Sequence, residues 1–285
     1  MQERKSDNSL VFRRKLVHAM LILFCTIVAV VAFYPFFVMV ISSTHDNFNI
    51  VSKINILPGD HLKENFERLT RNMDILVGIK NSIILSVSVT VIETYFTVMA
   101  AYAFAKFRFR GHDLLFGVIL VFMMLPGQLG IIGFYKEIQA MNMMNSYLPL
   151  IIPSIANCFA VFFYKQYMDT SLPAELIEAA IMDGCREIQI FHNIVIPLVK
   201  PAMVTQAVLT FIGTWNSYLN PLILLNDKTK FTLTLMIATV RDATNADYGA
   251  QYLGMVISVI PTVIIYCFGS KTIMEKITVG AAVKG

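Results

Sequence analysis

The sequence predicts an all-α integral membrane protein with six transmembrane helices and both termini in the cytoplasm. Three observations carry that prediction. The 285 residues are 56% hydrophobic and only 15% charged, with a mean hydropathy of +0.64, whereas a soluble domain is about a quarter charged. The apolar residues gather into runs of roughly 20, the length that carries a helix across about 30 Å of hydrocarbon. Lys and Arg are spread unevenly over the segments that join those runs. A barrel is excluded because the runs are long and uniformly apolar, without lipid-to-lumen alternation.

The runs cover about Leu16–Ser42, Ser82–Phe104, Leu114–Ile132, Tyr147–Tyr167, Ala202–Leu225 and Gly249–Phe268. They form a single transmembrane domain over residues 1–285. Arg13, Arg14 and Lys15 precede the first run as they would a signal peptide. Its apolar part is longer than a signal-peptide core, and no small-residue cleavage site follows, so it reads as an uncleaved first helix.

Placing the N-terminus inside puts 14 Lys and Arg in cytoplasmic segments and nine in external ones, although the external loop Ser43–Asn81 alone carries five. The firmest anchor is the cluster KFRFR, Lys106–Arg110, in the short connection after the second run.

Glu93 is the one acidic residue inside a run. An intramembrane carboxyl invites a proton or ion site. It equally fits a carboxyl that is protonated or hydrogen-bonded to a neighbouring helix. No relay of further charges accompanies it, which favours the second reading.

The connection Asp169–Lys200 is unusual for a cytoplasmic loop. It holds Asp169, Glu175, Glu178, Asp183 and Glu187, with Arg186 as the one basic residue between the flanking lysines. Such a patch repels anionic lipid headgroups and suits a protein partner of complementary charge. Ser171 is placed to cap a helix with Pro173 in its first turn. Leu176, Ile177, Ala180 and Ile181 make one apolar face; Glu175, Glu178, Ala179 and Met182 make another. Gly184 suits the left-handed residue that ends such a helix. A second helix carries Ile188, Phe191, Val195, Leu198 and Val199 at helical spacing, and Pro197 and Pro201 mark its passage into the fifth span. A short helix, a glycine turn and another helix form a projection that can enter a groove in a partner.

The fifth run contains Trp215, Asn216, Ser217, Tyr218 and Asn220. Aromatic faces and amides suit a sugar's ring and hydroxyls. The same residues fit an interfacial aromatic belt and an interhelical hydrogen bond, and both readings stand.

Other chemistries leave no trace. GSKT, Gly269–Thr272, lacks the glycine arrangement of a phosphate loop. Neither a zinc-protease helix nor a nucleophile elbow occurs. The five histidines are scattered, and Cys25, Cys158, Cys185 and Cys267 are far apart, as buried apolar residues would be. No covalent chemistry, resident metal or nucleic-acid partner is expected.

The acidic loop resembles the membrane subunits of binding-protein-dependent ABC importers, which carry E-A-A-x3-G-x9-I-x-L-P there. Glu178, Ala179, Ala180, Gly184, Ile194 and Pro197 match, while Ile196 stands in place of the usual Leu. YPFFVMVISS, AAYAFAKFRFRG, WNSYLNPL and the tail ITVGAAVKG resemble the carbohydrate branch, in particular the second membrane subunit of maltose-type importers.

The resemblance implies a type I ABC importer permease fold in a bacterial or archaeal cytoplasmic membrane. It implies that Glu178, Ala179, Ala180, Asp183, Gly184, Ile194 and Pro197 dock on an ATPase subunit dimer. That dimer, not this chain, would bind ATP and Mg. It implies a second, homologous permease subunit, an external or periplasmic sugar-binding protein reached through Asn226–Tyr248, and a C-terminal tail against the ATPase. Trp215, Asn216, Tyr218 and Asn220 would line the substrate path. An amino-acid or peptide importer shares the acidic loop and remains an alternative, as does a self-sufficient proton-coupled transporter using Glu93.

Overall fold

A computed structural model describes the backbone of residues 2–240 and 247–282, and the side chains of 13–71, 73–240 and 247–269. The described backbone is helical, without strands. The chain divides into two compact units, Met1–Asn72 with Val240–Val256, and Met73–Thr239 with Ile257–Gly285.

In the first unit, α1 (Gln2–Ser42) contains the membrane-length segment Arg13–Ser42. None of that segment's most apolar stretch is buried within the chain, as befits a helix apolar all round. Two short helices follow, α2 (Asn47–Ser52) and α3 (Leu62–Asn72). Asn65, fully buried, donates through Nδ2 to the carbonyls of Ser43 (2.8 Å) and His45 (2.9 Å), and so ties α3 to the end of α1. The Gly249 amide donates to Asn47 Oδ1 at 3.1 Å. A Cβ at Gly249 would lie 2.5 Å from Asn65 Oδ1, so the backbone approach there requires glycine. Arg68 pairs with Asp247 across 3.3 Å.

The second unit is built around α4 (Ile75–Lys106), which starts on Asp74, whose side chain accepts from the Val77 amide. Its buried stripe is rich in small and polar residues, Asn81, Ser82, Ser86, Glu93, Thr94, Thr97 and Ala101, interleaved with Leu85, Val89, Val98 and Tyr102. Small residues let helices approach closely in a membrane, and polar ones face the bundle interior. That stripe packs on the helices Cys158–Ser171 and Ile196–Trp215.

The next run does not form one straight span. Helix α5 (His112–Met124) stops at Leu125, and the chain turns by 91° before continuing through Gly127–Ala140, where α6 spans Ile131–Ala140. Pro126 disfavours a helical residue before it, and Leu125 is extended (ψ 132°). The fourth run is also interrupted. It comprises α7 (Leu148–Ile151), a 3₁₀ turn over Ile152–Ala156, and α8 (Cys158–Ser171). Asn157 caps α8, accepting from the Ala160 amide at 3.1 Å.

After α9 (Ala174–Met182) a single helical run extends from Glu187 to Trp215. It comprises α10 (Glu187–Ile190), a π turn over Phe191–Val195, and α11 (Ile196–Trp215). The fifth span therefore begins and ends earlier than Ala202–Leu225. Pro197 and Pro201 sit inside it rather than at its start. Around them the Ile196 amide bonds Phe191 O, five residues back, and Thr205 Oγ1 donates to Pro201 O. Asn216 and Ser217 break the run, and α12 (Leu219–Leu224) and α13 (Leu233–Ala238) follow. The last helix, α14, spans Tyr248–Ala282, with a membrane-length part Tyr248–Gly269. Among the described residues, five helices are long and apolar enough to cross a membrane, or six if the bent pair is one span.

Candidate functional site

The short helix α9 is set by its ends. Pro173, extended at φ −61° and ψ 140°, occupies its N-cap position. Ser171, expected as the cap, instead ends α8, where its hydroxyl donates to Tyr167 O at 2.6 Å. At the other end Gly184 has φ +79°. The Cys185 amide bonds Ala180 O and the Gly184 amide bonds Ile181 O, each at 3.0 Å. This is the paired closure of a helix that a left-handed residue permits.

Of α9, only Ile177 and Ala180 are buried, against the core formed by α4, α8 and the run after Gly184. Of the apolar face Leu176, Ile177, Ala180 and Ile181, Leu176 and Ile181 are exposed, because nine residues present just two positions to the core. Ala180 thus faces inward, while Glu178, Ala179, Met182, Asp183 and Gly184 are exposed. Met182 is 87% exposed. A mixed apolar and acidic knob therefore stands free of the rest of its unit. Ile194 is half-buried against the same core, and Pro197 is exposed.

Behind the knob lies an arrangement missed in the sequence. Tyr102 OH donates to Glu187 Oε2 at 3.1 Å. Tyr95 OH and His192 Nε2 are 3.3 Å apart, while His192 Nδ1 lies 2.8 Å from Ile188 O. Because a carbonyl only accepts, Nδ1 carries a proton, which leaves Nε2 of the neutral ring as the acceptor for the tyrosine hydroxyl. Phe191 is buried between the two tyrosine rings, at centroid distances of 5.9 and 5.8 Å. The signal available was the separation of Tyr95 and Tyr102, two helical turns on one face.

Glu93 is 3% exposed, and its Oε1 accepts from Thr210 Oγ1 (2.7 Å), Asn157 Nδ2 (3.1 Å) and Gln206 Nε2 (3.4 Å). The carboxyl is a junction between α4, the cap of α8, and α11. No group of metal-ligating side chains occurs among the described residues.

The proposed path residues separate. Trp215 is a core residue, 1% exposed, stacked on Phe211 and donating through Nε1 to Ser258 O at 3.0 Å. Asn216 donates back to Ile212 O at 3.0 Å. Tyr218 is exposed. Asn220 lines a cavity of about 160 Å³ with Thr214, Ser217, Gly213, Leu85 and Leu150. Trp215 is the last residue of α11, whereas Asn216, Tyr218 and Asn220 lie beyond its end.

The segment expected to meet an external partner is anchored where it is described. Asn145 Oδ1 accepts from the amides of Asn226 (3.3 Å) and Asp227 (3.1 Å), and Asn81 Nδ2 donates to the carbonyls of Thr229 (2.9 Å) and Phe231 (3.0 Å). Hydrogen bonds from the Thr229 backbone and side chain hold the Asp227 carboxyl below its ordinary pKa. Residues 241–246 and the side chains of the C-terminal tail lie outside the described residues.

The second unit thus packs membrane-length helices on the polar face of α4, with one short helix standing free of it, as in a polytopic membrane protein. The comparisons specify the family. Residues 93–275 match the binding-protein-dependent transport system inner membrane component, and the chain belongs to that family. It is a permease of the ATP-driven import systems and a multi-pass protein of the cytoplasmic membrane.

Similar proteins include the arabinooligosaccharides transport system permease protein AraQ of Bacillus subtilis (strain 168), 35% identical over 72% of each chain. The diacetylchitobiose uptake system permease protein NgcG of Streptomyces coelicolor is 30% identical over 92% of this chain and 87% of that one. The sn-glycerol-3-phosphate transport system permease protein UgpE of Salmonella typhi is 34% identical over 87% and 90%. The crystal structure of a bacterial ABC transporter that imports the acidic polysaccharide alginate superimposes with a TM-score of 0.76. It is 24% identical and covers 90% of this chain and 96% of its own, and it shows the same fold.

Proposed function

We propose that this chain forms half of the translocation path for a sugar or oligosaccharide delivered by an external binding protein. In this reading it performs no chemistry itself. A separate ATPase pair binds ATP and Mg and docks on α9, and a second, homologous permease completes the path. The N- and C-termini are cytoplasmic. The substrate class is supported by the relatives named for arabinooligosaccharide and diacetylchitobiose transport. A polar cavity wall of Thr214, Ser217 and Asn220 fits hydroxyl-rich cargo. Trp215 is assigned to the core and not to the path.

The observation that carries the docking assignment is α9 itself. Only Ile177 and Ala180 hold it to the chain, while Glu178, Asp183 and the apolar Met182 and Ile181 stand exposed. Exposed apolar groups among carboxylates suit a protein groove rather than anionic lipid. Glu178 pairs there with a basic group, an arginine fork matching a carboxylate best. Removing one partner of a desolvated pair costs about 2–5 kcal/mol. Glu178→Arg should therefore abolish co-purification of the ATPase with this chain and its sister permease, without loss of membrane insertion. Retention of the ATPase and of normal uptake in this variant would refute the assignment.

A further inference from the structure

Resting on that docking reading, we propose that Tyr95 and Tyr102 are positioning residues for energy coupling: they grip Phe191 so that the helix beginning at Glu187 moves as one body with α4. The argument starts from a weakness. Between the docking helix and the membrane part of α11 the backbone passes first through Gly184, left-handed at φ +79°, and then through the π turn Phe191–Val195. A π turn is a single-residue register defect in a helix and a place where it can reset or bend. A displacement of α9 arriving there would be absorbed locally unless the turn were held from outside.

Three contacts hold it, all from α4. Phe191, whose carbonyl closes the π turn to the Ile196 amide, is 3% exposed and lies against both tyrosine rings. The two hydroxyls then bond the side chains flanking that ring in sequence, Glu187 through Tyr102 and His192 through Tyr95. Glu187 precedes the defect and His192 lies within it, so the entry to the turn is referred to α4; beyond it, Gln206 and Thr210 of α11 bond Glu93 of the same helix. The same helix carries Glu93, which reaches α8 and α11 nearer its middle. A motion handed to α4 at Tyr95 and Tyr102 is thereby passed to the helices around Glu93. Tyr102 is itself buried at 5% exposure, so it acts within the chain and not on a docking partner.

The test uses the assembled importer, this chain with its sister permease and ATPase pair, in lipid nanodiscs. Two readouts are taken on wild type, Tyr102→Phe, the double variant Tyr95→Phe/Tyr102→Phe, Glu187→Leu and Glu187→Gln. The first is backbone hydrogen exchange over residues 187–196. The second is hydrolysis of MgATP without any binding protein. Both phenylalanine variants and Glu187→Leu should exchange faster in that segment and keep the ATPase bound. Their basal hydrolysis should rise about fivefold or more, the lower end of site-to-site coupling, because nucleotide-driven closure no longer waits on the membrane helices. Glu187→Gln keeps an acceptor for Tyr102 OH and should behave as wild type, which a charge-based docking role for Glu187 would not allow. Unchanged exchange in the phenylalanine variants overturns the grip. Faster exchange with unchanged hydrolysis, or loss of the ATPase from those variants, overturns its role in coupling. Failure of the ATPase to associate with wild type refutes the docking reading instead, and the exchange data still decide the grip.

Discussion

Thr210 Oγ1 donates a 2.7 Å hydrogen bond to Glu93 Oε1, joining α11 to α4 across a face that sequence order separates by 117 residues. Asn157 and Gln206 donate to the same oxygen. A carboxyl that accepts from neighbouring elements in this way is a structural junction. The predicted behaviour differs between two substitutions. Glu93→Gln retains an acceptor oxygen and should leave stability within about 1 kcal/mol. Glu93→Leu strands three donors, and interhelical hydrogen bonds in membranes average about 0.6 kcal/mol each, so a loss of about 2 kcal/mol is expected. Thermal unfolding in detergent micelles reads the difference; a Leu variant as stable as wild type contradicts the junction. Unimpaired transport by Glu93→Gln would further separate this chain from proton-coupled carriers.

Gly184 tests the closure of α9. No atom lies within 4 Å of a Cβ built there, so the cost of a side chain is backbone strain alone. A β-branched residue at φ +79° should cost about 1–2 kcal/mol, whereas asparagine tolerates that region. Gly184→Val should reduce transport with insertion intact, and Gly184→Asn should retain most of it. Equal uptake by the two variants would count against the turn as the source of the effect.

At Gly78 space, not conformation, is the constraint. A Cβ there would meet Met236 Sδ at 2.7 Å and Leu233 Cα at 3.2 Å. The Met side chain can swing away, but the α13 backbone cannot without leaving α4. Gly78→Ala should therefore already lower stability measurably, and Gly78→Leu should destabilise further, by about 1–3 kcal/mol, as overpacked cores do. Comparable melting temperatures for the two would show that α13 yields freely.

The charge asymmetry predicts a cytoplasmic Arg110 and an external Ile54, both exposed. Cysteines at these positions, in a background lacking the four native ones, should differ in intact cells. An impermeant thiol reagent should label position 54 and spare position 110 until the membrane is opened. Equal labelling of both in sealed cells would reverse or abolish the assigned topology.

Membrane residence, the helical class and the acidic knob were legible in the sequence for a common reason: each is a local property. A run of about 20 apolar residues has one solution in lipid. Gly184, at a stated distance after Glu178, specifies a left-handed stop whatever surrounds it, and the observed φ agrees. Likewise the break at Pro126 was visible as a residue but not as a consequence, because hydropathy does not register a 91° turn within an apolar run.

What only the tertiary structure decided depends on partners distant in sequence. Composition ended the fifth span at Leu225, yet the helix ends at Trp215, because Trp215 is claimed by the Ser258 carbonyl and Phe211 while the polar residues after it turn aside. Spacing put Leu176, Ile177, Ala180 and Ile181 on one apolar face, but the core accepts only Ile177 and Ala180. Hydropathy locates Glu93 in a membrane helix; it cannot say that three donors from other segments converge on it. Periodicity reports which side chains share a face of one helix. Which neighbour meets that face is settled by packing many segments at once, and so lies beyond any local pattern.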